Sequence, residues 1–434
     1  MCQAAGVLGL AIACAVSGAA WIYLVAAHGG FWRTRQRLPL RRPASATAGH
    51  DQWPAVVAVV PARNEADSLP ATLPALLAQD YPGEFGVFLV DDGSDDGTAG
   101  VAAELGEKAA RDGGAPLTVV PGRPRPDGWA GKVWAMAQGL AVAVDTGSAV
   151  RTGSSAGTGL VAAGPESGAV AAARPEYVLF TDADITWAPT ALRDLVRAAE
   201  DDDRALVSQM ALLRAETAWE RVIVPAFVYF FAQLYPFKKV NNPKSRTSAA
   251  AGGCMLIRTE ALQLVGGLEP MRGALIDDVA LGTLLKKNGN RIWLGLTSDI
   301  RSDRPYPSLA SLWHMIARSA YVQLRYNPAL LAGTLVGLLL LYAVPPVGVI
   351  AALIAVAVGP TGAAVAVTGV AGLLGWALMT ASYLPMLRFY RLSPLRAPLL
   401  PLIALLYAAM TADSARRHYS GRAVSWRGRA AERV

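Results

Sequence analysis

A chain of 434 residues exceeds one ordinary domain, and 53% hydrophobic against 17% charged residues is too apolar for a purely soluble protein. Three cysteines, Cys2, Cys14 and Cys254, are odd in number and far apart; they exclude a disulfide framework or a thiolate metal cluster and suit a reducing compartment. The formal charge of +7 arises beside apolar runs and near the C-terminus rather than in an aromatic-studded patch, so no nucleic-acid partner is expected.

Residues 1–30 are expected to hold a first membrane helix, because Gly6 to Ala27 is uncharged over roughly the twenty residues that cross a hydrocarbon core. A basic linker over 31–53 follows, with Arg33, Arg35, Arg37, Arg41 and Arg42, whereas nothing basic precedes the helix. The positive-inside rule therefore puts the next domain in the cytosol. Ala13-Cys14-Ala15 resembles a signal-peptide cleavage site, but the arginines stand on the wrong side for one.

Over 54–327, short β-branched or aromatic runs (55–60, 85–90, 117–120, 177–180 and 255–257) alternate with segments of helical period. That pattern predicts an α/β domain with a mostly parallel sheet under helices. Ligands in such sheets sit beyond the carboxyl ends of the strands, so the polar residues after each run matter most. Pro61-Ala62-Arg63-Asn64-Glu65 enters a helix through Leu69, Leu73 and Leu76; helix amides, Arg63 and Glu65 suit a nucleotide, or an ordinary helix cap. Asp91 to Thr98 forms a glycine-rich acidic turn whose carboxylates can accept from a base NH and ribose hydroxyls. Gly128 to Lys132 opens a helix through Val133, Met136, Ala137 and Leu140. There Lys132 suits a phosphate or sugar hydroxyl and Trp129 a sugar ring, or the pair is a solvated lysine beside a core tryptophan.

From 141 to 175 the chain turns to Ala, Gly, Ser and Thr, which predicts a flexible surface insertion, with a lid as the functional alternative. The fourth run leads into Thr181-Asp182-Ala183-Asp184. Strand alternation would turn both aspartates to one side, where they can hold a hard divalent ion that bridges a diphosphate. The aromatic stretch 219–240, ending in Lys238-Lys239, reads as an interfacial helix over an acceptor entrance or as a buried core helix. Gly252-Gly253 and Gly266-Gly267 suggest close backbone approach, and Asp277-Asp278 begin a helix. These two can serve the helix dipole; one can instead be a general base, and Asp278 is the choice.

The region 328–413 has room for two to four membrane segments. Pro328 to Leu387 holds two or three, with Pro345-Pro346 and Gly359-Pro360 as kinks or tight loops, and Ala397 to Ala412 adds another. The basic tail 414–434 belongs in the cytosol or on anionic headgroups, which calls for an even number of crossings after the soluble domain.

Together VPARNE, LLAQDYP, VDDGSDDGT, GWAGK, TDAD, GGCMLIR and DDVALGTLLKKNG resemble the family 2 glycosyltransferases, in the family's order over roughly Pro54 to Pro328. The wording GWAGKVWA and LFTDADI and the membrane arrangement are most similar to the hopene-associated glycosyltransferases, with ceramide and carotenoid glycosyltransferases as relatives. The resemblance implies a GT-A fold, a nucleotide-diphosphate sugar donor (a UDP-sugar), a lipid acceptor in hopanoid or related biosynthesis, and a multi-pass protein of the bacterial inner membrane. Under it Pro61, Arg63, Glu65, Asp91, Asp92, Lys132 and Asp182 line the donor site, Asp92 or Asp91 touching uracil or ribose. Asp184, assisted by Asp182, ligates Mg2+ or Mn2+; Asp278 deprotonates the acceptor, with Asp277, Arg325 and Trp129 in support.

Processive members of the family carry Q-x-x-R-W, whereas this chain has Gln323-Leu324-Arg325-Tyr326, which counts against a polysaccharide synthase. A catalytically silent domain would have no need of TDAD or Asp278. Displacing a diphosphate with one carboxylate as base is a single inverting step, in which Lys132 or Arg325 can supply a cation.

Overall fold

The computed structural model describes residues 2–39, 52–152, 174–359, 362–421, 425–426 and 429–430. Most of the 141–175 insertion, residues 40–51 of the linker and most of the end of the basic tail lie outside these. In chain order the elements are α1 (Cys2–Ala27), β1 (Val56–Ala62), α2 (Leu69–Leu77), β2 (Phe85–Asp91), α3 (Thr98–Arg111), β3 (Leu117–Pro121), α4 (Gly131–Thr152), β4 (Tyr177–Phe180), β5 (Ile185–Trp187), α5 (Ala191–Asp201), β6 (Leu206–Leu213), α6 (Ala218–Leu234), α7 (Phe237–Val240), β7 (Met255–Arg258), α8 (Thr259–Leu264), α9 (Asp277–Lys287), β8 (Ile292–Ser302), α10 (Leu309–Gln323), α11 (Pro328–Leu338), α12 (Val344–Val358), α13 (Ala363–Phe389), α14 (Leu400–Tyr419), and a short antiparallel pair, β9 (Ser425–Trp426) and β10 (Arg429–Ala430).

Two compact units result. The sheet unit comprises Gln36–Arg214, Val240–Arg304 and Ser425–Val434; the helical unit comprises Met1–Arg35, Ala215–Lys239 and Pro305–Val424. The expected domain 54–327 thus loses 215–239 and 305–327 to the helical unit. Their helices bury apolar faces among other helices, a choice of neighbour that periodicity alone does not encode.

In the sheet unit the strands run in the order β3-β2-β1-β4-β7-β6-β8-β5. The half that carries β1 to β4 is parallel, and β7 then runs antiparallel to β4 and β6. β6 and β8 are parallel, and β5 pairs antiparallel at the edge, so the sheet is mixed. β1 is buried along its whole length, as expected of a strand covered on both faces. Val56, Ala58, Val60 and Ala62 pack with Leu69, Leu73 and Leu76 of α2, while Val59 meets Gly139 of α4 on the other face. β5, β6 and β8 are additional to the five runs read from the sequence. In β6 the apolar run is broken by Ser208 and Gln209; both are buried, and Ser208 Oγ accepts from Ala251 N–H at 2.9 Å and donates to Cys254 O at 2.8 Å.

Among the described residues, the helical unit has four helices long and apolar enough to cross a membrane: Gly6–Ala27, Pro328–Val358, Ala363–Phe389 and Pro394–Tyr419. Pro345-Pro346 do not make a loop. They lie in the first turn of α12, where no N–H is required of them, and a π-helical turn over Leu339–Ala343 joins α11 to α12. The segment expected at 397–412 starts in a 3-10 turn over Pro394–Leu399 and continues into α14, whose last residues take up the first part of the 414–434 tail. The stretch 219–240 is broken into α6 and α7. Thr217 and Glu220 close a reciprocal cap at the start of α6, and Ile223, Val224, Val228, Tyr229 and Ala232 are buried within the helical unit. Tyr229 stacks edge-on to Tyr383 at 5.2 Å and bonds Ser382 at 2.7 Å, so this helix spends its aromatic face on its own unit.

Gly139 tests the seating of α4 on the sheet. A Cβ there would lie 2.4 Å from Val59 Cγ1 and 3.0 Å from Val90 Cγ2, both fixed in central strands. Gly139→Ala gains up to about 1 kcal/mol of helix propensity but overpacks by about 1–3 kcal/mol. The expected outcome is a lower thermal midpoint for the detergent-purified protein, and an unchanged or raised midpoint contradicts this packing.

Candidate active site

The carboxyl ends of β1, β2 and β4, the N-termini of α4 and α9 and the end of β8 bring the charged residues of the sheet unit together. Two motifs interlock first. Arg63 Nη1 donates to the carbonyl oxygens of Asp92 and Gly93 and lies 3.9 Å from Asp92 Oδ2. Asn64 N–H donates to Ser94 Oγ at 3.0 Å, Glu65 N–H to Thr98 Oγ1 at 2.9 Å and Ala66 N–H to Asp96 Oδ2 at 3.0 Å. Asp95 N–H returns a bond to Asn64 Oδ1 at 3.1 Å. The polar residues of the acidic turn therefore brace the loop that follows β1. Pro61 is a buried member of β1, opposite Val90. Asp92 is only 1% exposed and Asp91 accepts from Ser94, so of the two expected base or ribose contacts it is Asp91 that lies nearer solvent.

Lys132, one residue into α4, forms the centre of the crevice. Its Nζ stands 2.8 Å from Asp182 Oδ1 and 3.0 Å from Asp277 Oδ2. Burial opposes its charge, but Asp182 and Asp277 outweigh that and hold it protonated, its pKa raised above the usual lysine value. Asp278 faces the same group, and its carboxylate is fixed by two backbone donors, Gly252 N–H at 2.9 Å on Oδ2 and Val279 N–H at 2.7 Å on Oδ1. Burial and the neighbouring Asp277 charge push Asp278 up to about 7, against the pull of Lys132 and these donors.

Asp182 and Asp184 lie past the end of β4, in the turn before β5, so strand alternation does not set their direction. Each meets its own cation. Asp184 Oδ2 lies 3.6 Å from Arg304 Nε, and Arg304 Nη2 donates to Glu65 Oε1 at 3.4 Å. Burial raises Glu65, Asp182 and Asp184 above ordinary carboxylate values; the facing cations oppose this and neighbouring carboxylates add to it. Arg304 was not among the residues singled out from the sequence. It stands in SDRPYP, which reads as an ordinary loop, and only the pairing of β8 with β5 carries it to Asp184.

Trp129 is half-buried and packs edge-on against Trp134 at 5.1 Å, while Ala130 N–H donates to Arg272 O at 2.6 Å. The segment around Trp129 thus docks on the loop that leads to Asp277. Arg325 belongs to the helical unit, where it and Tyr326 take left-handed φ values of 53° and 54°. The cations that pair with the crevice carboxylates are Lys132 and Arg304.

A sheet of this topology with these motifs at its carboxyl edge can be compared with known families. The profile described as glycosyltransferase like family 2 matches residues 54–321. The chain belongs to the family 2 glycosyltransferases. No curated protein matches the sequence. Among solved structures, this glycosyltransferase is similar to the mannosyltransferase PcManGT from Pyrobaculum calidifontis, in complex with GDP-Man and Mn2+. The identity is 20%, over 94% of this chain and 99% of that one, with a TM-score of 0.50. It also resembles mannosyl-3-phosphoglycerate synthase from Rubrobacter xylanophilus at 19% identity, over 63% of this chain and 75% of that one, TM-score 0.35. S. aureus TarS is 17% identical over 62% of this chain and 40% of its own, TM-score 0.37. At such identities the likeness is one of fold, and the fold is GT-A.

A divalent ion fits this crevice by charge and donor type. Glu65, Asp182, Asp184, Asp277 and Asp278 outnumber Lys132 and Arg304, leaving an excess of buried negative charge on hard oxygen donors. Among the described residues no group of three or more His, Cys, Asp or Glu side chains is arranged to hold an ion by itself. An ion bound here would take one or two carboxylates and complete its shell with phosphate oxygens and water.

Gly252 leaves room for this arrangement, since a Cβ there would stand 3.1 Å from Lys132 Nζ and 3.5 Å from Asp278 Oδ2. Gly252→Ala should push the flexible end of Lys132 aside without unfolding the sheet, costing less than about 1 kcal/mol of stability. Turnover should fall about tenfold or more. A variant that melts normally and turns over normally contradicts the role given to this contact.

Proposed function

We propose that this glycosyltransferase moves one sugar from a nucleotide-diphosphate donor to the hydroxyl of a membrane lipid, by a single displacement that inverts the anomeric centre. The observation that supports this best is that Asp278, held by Gly252 and Val279 N–H groups, directly follows Asp277, which shares the Lys132 ammonium with Asp182 of TDAD. One carboxylate positioned for the acceptor and a separate acidic pair for the donor suit a transfer, whereas a glycoside hydrolase works with two carboxylates across one bond.

Negative charge builds on the leaving diphosphate, and Lys132 and Arg304 are the cations placed to meet it. Asp182 and Asp184 are the residues that would hold Mg2+ or Mn2+, which when bound would supply Lewis-acid neutralisation of that charge. Asp278, raised towards neutrality, takes the acceptor proton without needing a strongly alkaline medium. The interlocked Arg63, Glu65 and Asp91 loops border the donor's nucleoside, which by resemblance is uridine.

Membrane placement follows from the four apolar helices and from arginines that succeed the first of them. A soluble acceptor needs no such anchor, whereas a lipid alcohol must be met at the bilayer. The reading places the catalytic domain on the cytosolic face of the bacterial inner membrane. α14 is bound along α10, with Trp313 Nε1 donating to Asp413 at 2.9 Å and Tyr321 N–H to Ser414 Oγ at 3.0 Å. We take α14 as a helix lying at the surface. Two crossings then separate the catalytic domain from the basic tail, which returns to the cytosol. Hopanoid-type lipids are the preferred acceptors, on the strength of GWAGKVWA and LFTDADI.

Membranes containing the enzyme, given labelled UDP- and GDP-sugars with candidate lipid alcohols, should yield a lipid carrying one sugar, and EDTA should abolish its formation. A labelled polymer, or transfer that survives chelation, overturns the acceptor or the metal assignment respectively. Asp278→Asn should lower turnover by about 10²–10⁴ while donor binding persists. The base must lose a proton that burial and Asp277 hold on, so transfer should rise with pH through about 7. Asp277→Asn removes the repulsion and should move that rise to lower pH; a rise that stays in place removes Asp277 as its cause.

A further inference from the structure

We infer that Ser208 and Thr181 are positioning residues for Asp278, because they fix the turn Ala251–Cys254 whose Gly252 N–H group holds that carboxylate. This role rests on, and deepens, the reading of Asp278 as the base for the acceptor. Ser208 interrupts the apolar run of β6 with a side chain that is wholly buried. A buried hydroxyl is costly unless its bonds are made, and here they are made to both ends of one turn. Ser208 Oγ accepts from Ala251 N–H at 2.9 Å and donates to Cys254 O at 2.8 Å, while Cys254 N–H closes the turn on Ala251 O at 3.1 Å.

The other hydroxyl pins the middle of the turn. Thr181, buried just past the end of β4, donates from Oγ1 to Gly253 O at 2.8 Å. In the sheet β4 and β6 are the two neighbours of β7, so the turn that leads into β7 is gripped from both sides. Backbone ladders already join β7 to each neighbour, and the two hydroxyls reach beyond its first residue, Met255, to the turn itself. With Ala251, Gly253 and Cys254 held, Gly252 N–H between them meets Asp278 Oδ2 at 2.9 Å. A donor on a carboxylate favours the charged form, so loosening it should raise Asp278 further. The charged groups facing Asp278 are Asp277 and Lys132, and both remain when either hydroxyl is removed.

The test uses full-length enzyme in nanodiscs. Infrared difference spectra identify the carboxyl band that Asp278→Asn removes, and this band is followed with pH. Ser208→Ala should move its midpoint up from about 7 by about one unit. Transfer should then fall about fivefold at pH 7 and little at pH 9. Thr181→Val keeps the shape and should move the band in the same direction; it decides the matter if Ser208→Ala does not fold. A band that stays in place in a folded variant, or turnover reduced equally at every pH, overturns the inference and makes the hydroxyls structural only. If the band moves as expected but transfer does not follow it, or if Asp278→Asn turns over normally, the reading of Asp278 as base falls and its positioning role with it.

Discussion

One ammonium group shared between two carboxylates determines the shape of the crevice. Lys132 ties the start of α4 to the turn after β4 and to the start of α9, three segments that lie far apart in sequence. A buried charge pair contributes little net stability by itself, because desolvation consumes most of the Coulomb gain. Removing one member is a different matter, since it strands the other without compensation. The arrangement therefore works less as a source of stability than as a condition on geometry: Asp182 and Asp277 hold station because the same cation faces both.

The surplus of carboxylates around that cation is costly and informative. A structural protein would replace such a cluster with apolar side chains and gain by it. Here Asp182, Asp184, Glu65 and Asp278 all sit above ordinary carboxylate values for the same first reason, burial, and then through one another.

How much of this could be read from the sequence differs by element. β1, β2 and β4 are legible because strands covered on both faces leave uninterrupted apolar runs, and the motifs after them fall at the carboxyl edge by the general geometry of parallel sheets. β6 is not, since Ser208 and Gln209 are buried through bonds to a turn some 43 residues away that composition cannot show. Asp278 and Lys132 stand out by their place at helix starts. Arg304 does not, because an arginine after a strand has no local pattern and gains its meaning from the register of β8 with β5. The burial of Asp92 is not legible either: nothing in a glycine-rich acidic turn signals the Arg63 contact that accompanies it. The compact units cut across the expected 54–327 region, since α6 and α10 carry apolar faces whose partners only the tertiary structure names.

The direction of α4 has a bearing on the segment that follows it. With β3 and β4 both parallel to their neighbours, α4 must run back against the strands; it carries the chain about 30 Å from Lys132. The far end of α4 thus stands towards the trailing edge of the sheet, away from Lys132. That separation makes the end of α4 a natural place to graft an affinity epitope or a fluorescent reporter.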